Sequence, residues 1–428
     1  MSSPGARSRA LLALGFLLLA ARSLAQTPPA IGDAARQRLL AQGVRLEAGY
    51  TGEVVRNFSG GLKTGSAFLG GFDFQATVDG KRSLGLDGVT FYVHVLGTHG
   101  DDPSALAGDA QGISNIAAQR GLRLFEAWGE QNFVDRNMSL LAGRFDLNAE
   151  FYHLDSASLF LNSSFGIGPE MSQTGRGGPS IFPNSSYGAR FEWRGPPVVL
   201  RAAVLNGVPV SVARADGSGG ARRQGDGLLY VGEASIVLPL DASRDDRKRS
   251  RRMRLGRAAL AVDRDSKAAL GLWHYTGTFN ELSSSVAGRR RDRSGAYLIA
   301  EQVLYRDALE PARRVRVFGQ FGAGDERFWR FASYVGAGIT MTAPFAGRSD
   351  DEFGFGIARA RSGTAFLVSE QQAGSVFPGV ETAIEVTYLY SVSGRISMQP
   401  TLQRILHPAG APGLRDATVG MLRFELAL

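Results

Sequence analysis

Glu126, Trp128 and Glu130 recur at every second position of one strand-like stretch, so they share one face of it. A little further on, Gly143-Arg-Phe-Asp146 sets Arg144 and Asp146 on the side opposite Phe145. Carboxylates accept hydrogen bonds and a guanidinium fork donates them, while a flat indole packs against C–H faces. Such a set suits reversible binding of a neutral, hydroxyl-rich solute. The competing reading for Trp128 is an interfacial aromatic girdle, where Trp is common. Trp193 and Tyr187, which fall on the opposite parity of their own strand, are the better girdle candidates.

Catalytic patterns are scarce. The sequence has no HExxH, no P-loop and no GxSxG elbow. Its five histidines (His94, His99, His153, His274 and His407) show no metal-ligand spacing. No cofactor is implied, although a Ser, a His and an acid could still meet in space.

The elements that must position these side chains have a period of two. Val44, Leu46, Ala48 and Tyr50 alternate with Arg45, Glu47, Gly49 and Thr51. Phe68, Gly70, Phe72, Phe74, Ala76 and Val78 form a second such run, and the pattern recurs to Thr418–Leu428. Sixteen candidate strands emerge, the third, tenth and twelfth least clearly patterned. Strict alternation turns Arg45, Arg144, Arg190, Arg194, Arg201, Arg316 and Arg423 to the polar face. Glu47, Asp73, Glu126, Glu130, Asp146, Glu192, Glu233, Glu385 and Glu425 share it. Arg359 has the parity of Phe353 and Ile357 and is left out of that lining. The two signs are nearly balanced, which disfavours a single-sign ion filter.

Connections alternate in length. Residues 134–137, 195–197, 307–313 and 391–394 are short, whereas 98–121, 147–185, 206–227, 278–293 and 362–379 are long. Short turns on one rim and long loops on the other, around strands with polar and apolar faces, describe an all-β antiparallel transmembrane barrel. A soluble sandwich also alternates, but would not place full charges throughout its interior. The segment 147–185 is rich in Phe, Leu and Ile. As the third of eight outward loops, it is expected to fold inward as a constriction. Residues 239–266, formally a short-rim turn, are long and strongly basic at 244–257, which reads as a solvated insertion.

The bulk properties agree. Arg7 and Arg9 precede the apolar run Leu11–Ala21, and Ser23-Leu-Ala25 offers small residues for cleavage, so 1–25 reads as a secretory signal peptide. Residues 26–42 form a periplasmic N-terminal segment and 43–428 the single barrel. No later stretch is long and apolar enough for a transmembrane helix. The chain of 428 residues lacks cysteine, and a closed barrel needs no disulfide. Its net charge of +8 comes almost wholly from arginine, since only Lys63, Lys81, Lys248 and Lys267 are lysines. The charges are scattered and no nucleic-acid-binding motif accompanies them, so nucleic acid is not an expected partner.

Several motifs, in order along nearly the whole mature chain, resemble the OprB-type carbohydrate-selective porins of Gram-negative outer membranes. They are Gly49-Tyr-Thr-Gly-Glu-Val54, Ser59-Gly-Gly-Leu62, Ser114-Asn-Ile116, Glu126–Phe133 and Gly143-Arg-Phe-Asp146. Leu159-Phe-Leu-Asn-Ser-Ser-Phe-Gly-Ile-Gly-Pro169, Gly178-Pro-Ser-Ile-Phe-Pro183, Ala203–Pro209 and Leu422–Leu426 continue the series. The resemblance implies a 16-stranded outer-membrane barrel for passive diffusion of glucose-like sugars, with the third loop as constriction. By position it implies that Glu126, Glu130, Arg144 and Asp146 line the pore, with Trp128 beside them and Arg176 as a further candidate in the loop. The partners are then carbohydrate solutes and outer-membrane lipid, with monomer and homotrimer both open. Two features depart from the family: the chain ends in Leu428 rather than an aromatic residue, and 244–257 is unusually basic.

Overall fold

In a computed structural model, residues 32–210, 225–239, 264–282, 289–290, 293–374 and 379–427 are described. The expected signal peptide 1–25, the basic stretch 244–257 and Leu428 lie outside them. A helix, α1 (Gly32–Ala41), leads into the first strand. Sixteen strands follow: β1 (Val44–Ser59), β2 (Gly65–Asp79), β3 (Val89–Gly100), β4 (Gly121–Phe133), β5 (Met138–Phe145), β6 (Ser186–Gly195), β7 (Val198–Asn206) and β8 (Leu228–Pro239). Then come β9 (Arg264–Tyr275), β10 (Arg293–Arg306), β11 (Arg314–Gly324), β12 (Phe331–Thr342), β13 (Glu352–Ser362), β14 (Val380–Ser393), β15 (Ile396–Leu406) and β16 (Ala417–Ala427). Each pairs antiparallel with its chain neighbours, and β1 pairs with β16 from Gly49↔Ala427 onward, closing the barrel. A two-residue pairing, 279–280 with 289–290, lies within one outward connection.

Closure removes the sheet edges, so each strand pairs on both sides within the wall. The faces divide as the alternation requires. In β2, Phe68, Phe72 and Phe74 are 41–54% exposed, while Asp73 and Gln75 are 4% and 5% exposed. The apolar face therefore looks outward, toward lipid. Trp193 and Tyr187 are exposed on the outward face of β6.

The interior is not a plain aqueous bore. Residues 146–185 enter it and bring an apolar cluster containing Phe151, Tyr152, Leu154, Phe160, Phe165 and Met171, each at most 2% exposed. The wall accommodates these side chains. A Cβ at Gly356 of β13 would stand 2.8 Å from the Phe165 ring, and one at Gly322 of β11 only 1.8 Å from a Glu170 carboxylate oxygen. Glycine at these inward positions gives the loop its seat.

Candidate functional site in the barrel lumen

On β4 the face predicted to carry chemistry exists, with one irregularity. The register steps from His94↔Glu126 to Val95↔Leu124, leaving Phe125 as a bulge. Glu126, Trp128 and Glu130 then share the luminal face at 1%, 8% and 4% exposure. The Trp128 ring stacks on Tyr92 of β3, with centroids 5.0 Å apart. Glu126 lies 3.7 Å from His94 Nδ1, whose Nε2 contacts Asp73 at 2.7 Å. The Asp146 backbone N–H donates to Glu126 at 3.1 Å, and the Asp146 side chain accepts from the Asn148 N–H at 3.0 Å. Glu126 and Asp146 therefore meet where the long loop enters the lumen.

From Glu130 a ladder of alternating charge runs along the wall from β4 to β9. Arg190 Nη2 donates to Glu130 at 2.6 Å, and Arg190 Nε lies 3.1 Å from Glu150 of the loop. Arg201 lies 3.9 Å from Glu150 and 3.6 Å from Glu233, and it also pairs with Glu192, which in turn pairs with Arg194. Lys267 ends the ladder, 3.5 Å from Glu233, and donates to the His153 carbonyl at 2.8 Å. Four cations thus interleave with four carboxylates. Most are deeply buried, but Arg201 is 15% and Arg194 48% exposed at the side chain.

The opposite wall is organised differently. Its carboxylates and amides hold loop backbone. Glu385 of β14 accepts from the N–H groups of Leu161 and Asn162 at 2.7 and 2.9 Å. Glu301 of β10 accepts from the Ser156 N–H at 2.9 Å and its hydroxyl at 2.7 Å. Gln320 of β11 donates to the Phe165 carbonyl at 2.9 Å, and Gln399 of β15 to the Leu159 carbonyl at 2.7 Å. The preceding outward loop is tied in as well: Glu381 accepts from Ala110 and Gln111, and Arg423 donates to Asn115 while pairing with Glu53.

Two of the expected site residues stand elsewhere. Arg144 is not luminal. It shares the strand face of exposed Leu140 and Ala142, and its register partners Ala127 and Tyr187 are on outward faces too. Neighbours nevertheless cover it to 7% exposure, and its Nε donates to Ser185 at 2.7 Å. The expectation failed because Phe145, taken as lipid-facing for its apolarity, turns inward at 0% exposure into the loop's apolar core. Arg176 is separate from the β4 group. It donates to the Thr278 carbonyl at 2.9 Å, lies 3.6 Å from Asp226, and lines an outward cavity of about 280 Å³ with Phe279 and Trp329.

Sequence reasoning missed Glu53, Glu150, Lys267, Glu301 and Glu381. Glu150 lies in the loop, outside any alternation. Glu53 and Glu301 do lie on inward parity, at 0% and 6% exposure, and extending the alternation through β1 and β10 would have found them.

A closed 16-stranded antiparallel barrel, apolar outside and charged within, with long connections on one rim, defines a porin. Residues 63–428 match the OprB family of carbohydrate-selective porins. The chain belongs to that family: it is an outer-membrane sugar porin, a channel rather than an enzyme. Porin B of Pseudomonas aeruginosa is 21% identical over 430 residues, covering 91% of this chain and 88% of that protein. A high-pH structure of Pseudomonas putida OprB has the same fold, with a TM-score of 0.77 at 18% identity over 92% of this chain and 96% of that one. A low-pH structure of the same protein gives 0.56 at 17% identity, again over 92% and 96%.

Proposed function

We propose that this porin passes neutral, glucose-like sugars through a gap between the loop 146–185 and the β4–β9 wall. The loop acts as the constriction. The observation that carries this reading is the asymmetry of the loop's seat. One wall grips it with apolar rings and amide contacts, while the other faces it with a charge-balanced ladder whose Arg201 and Arg194 keep solvent contact. Equal numbers of cations and carboxylates give a neutral solute many donors and acceptors without a net field to favour an ion. Weak, multiple contacts also suit conduction, since tight binding would block the path.

In this reading Arg201, Arg194 and the half-buried Asp146 touch the sugar. Glu126, Trp128 and Glu130 stand behind them, holding the arginines and the loop entrance in place. Arg176 belongs to the outer mouth and meets solute before the constriction. Residues 1–25 direct export and are removed. One chain encloses a complete lumen, so each barrel carries its own path whether chains stand singly or in threes.

Liposome swelling with glucose, arabinose and a sugar phosphate tests the reading. Faster entry of the neutral sugars than of the phosphate supports it. Equal rates for all neutral solutes of one size would remove the sugar preference, and faster entry of the phosphate would make this an anion pore. Hydrolysis of lipid in the same vesicles would restore the enzyme alternative.

A further inference from the structure

Along the outward faces of three strands, an apolar band is interrupted by arginine close to the outer rim. On β13, Phe353, Phe355 and Ile357 are 37–39% exposed, and the next outward residues are Arg359 and Arg361. On β15, Leu402 is followed by Arg404, and on β1, Val54 is followed by Arg56 and then by exposed Phe58 at the strand's end. All four arginines are exposed and lie within three residues of the outer ends of their strands, which is roughly 10 Å at the rise of a strand. β13, β14, β15, β16 and β1 are consecutive in the barrel, so the arginines occupy one sector about 19 Å wide at ordinary strand spacing.

Acid neutralises only one of the four: Arg404 pairs with Asp416 at 3.3 Å. Arg56 donates to the Ser66 hydroxyl at 3.0 Å and Arg361 to Ser333 at 3.4 Å. Arg359 has no ion-pair partner among the described residues. Elsewhere around the described outer rim only Arg144 stands on an outward strand face so close to a strand end, and it is covered.

Arginine on a lipid-facing strand is costly near the membrane midplane and tolerated at the interface. Four in one sector, three of them without an acidic partner among the described residues, call for anions at the level where headgroups begin. Guanidinium forks match phosphate oxygens in a bidentate geometry. We propose that the β13–β1 rim is a binding site for the phosphorylated headgroup of an outer-leaflet glycolipid. The acyl chains would lie on the Phe353, Phe355 and Leu402 band below while the phosphates bridge Arg359, Arg361, Arg404 and Arg56. The proposal rests on the outer-membrane location but not on the sugar path, which lies inside the barrel.

The test uses the full chain in phosphatidylcholine nanodiscs doped with bisphosphorylated lipid A, or with the same lipid dephosphorylated. Lipid retained per barrel after washing is the readout. Phosphorylated lipid A should be retained and the dephosphorylated form lost. The Arg359→Ala/Arg361→Ala/Arg404→Ala variant should bind at least about tenfold more weakly, given the contribution of each basic residue near a charged surface. Its glucose swelling rate should match the parent, which verifies that the barrel has assembled. If the triple variant does not assemble, Arg359→Gln alone should give a smaller loss in the same direction. Equal retention of the two lipids, or unchanged retention by the variants, overturns the site. Displacement by millimolar inorganic phosphate would show that a free anion, not a lipid headgroup, is the ligand.

Discussion

The two walls that face the inward loop put the same residue type to largely different uses. From β10 to β15, luminal Glu and Gln side chains bind loop backbone, as Glu385 does with Leu161 and Asn162, and aromatic rings fill the remaining space. From β4 to β9, luminal carboxylates mainly bind guanidinium and ammonium groups, as Glu130 does with Arg190 and Glu233 with Lys267, while Glu126 and Glu233 each also accept one loop N–H, from Asp146 and Tyr152. A carboxylate against a backbone amide is an anchor. A carboxylate in an alternating row of charges, some still touching water, is a surface that a solute can follow. The difference teaches that inward charge in a porin is not one property. In the proposed path, part of it holds the constricting loop and part of it meets the solute.

Removing a member of the ladder should have the largest effect. Arg190 is 2% exposed and stands between Glu130 and Glu150. Arg190→Ala leaves two buried carboxylates facing each other and should destabilise the barrel by about 3–5 kcal/mol, read as a lower unfolding temperature in detergent. Phe160→Ala, in the loop where the gripping wall holds it, should cost about 3–5 kcal/mol at most, as for a buried aromatic truncation. Because the loss loosens the loop rather than the barrel, disaccharide entry should rise while the unfolding temperature moves less than for Arg190→Ala. Disaccharide entry that rises for Arg190→Ala and not for Phe160→Ala would reverse the roles assigned to the two walls.

Glu385→Gln is gentler. It keeps shape and one acceptor, so roughly 1–2 kcal/mol of loop anchorage should be lost, seen as faster hydrogen exchange at Leu161 and Asn162. Protection of these two amides that stays at the parent level would show that Glu385 is not an anchor.

A pH dependence centred on the loop is a further expected effect. Burial pushes the Glu170 carboxyl up to about 8, partly offset by its own backbone N–H and the Tyr152 hydroxyl, which donates to it at 3.0 Å. A carboxyl raised in the docked state favours docking while protonated. That contribution is complete below the ordinary value near 4.5 and is lost as pH rises through about 8. Loop protection should therefore decline from acid pH to above 8, and Glu170→Gln should flatten the profile. An unchanged slope in that variant would move the pH dependence to another group.

How far the sequence carries depends on what each strand faces. β2 alternates cleanly because its inward Asp73 and Gln75 are polar and its outward Phe72 and Phe74 are not. β3, β10 and β12 were least legible because their inward faces are apolar as well: Tyr92 and Leu96, Tyr297 and Ile299, and Tyr334 are all buried. Large apolar side chains on the inward face blur the alternation of these strands. The loop's apolar core misplaced Arg144, since apolar Phe145 beside it was assigned to lipid. The ladder was legible in part, through the parity of Arg190, Arg201, Glu192 and Glu233. Its partner Glu150, on the loop, carries no periodic signal, and neither does the pairing across strands, which the barrel's closure decides.

The central claim is that the β4–β9 ladder selects while the loop's grip on the other wall sets the size. Liposome swelling of the parent and of Arg201→Ala, each with glucose and with glucose phosphate, tests this most directly. Removing one cation from a balanced row should lower glucose entry several-fold and depress phosphate entry further, with disaccharides still excluded. Unchanged glucose entry and an unchanged glucose-to-phosphate ratio would contradict the account and place the path away from the ladder.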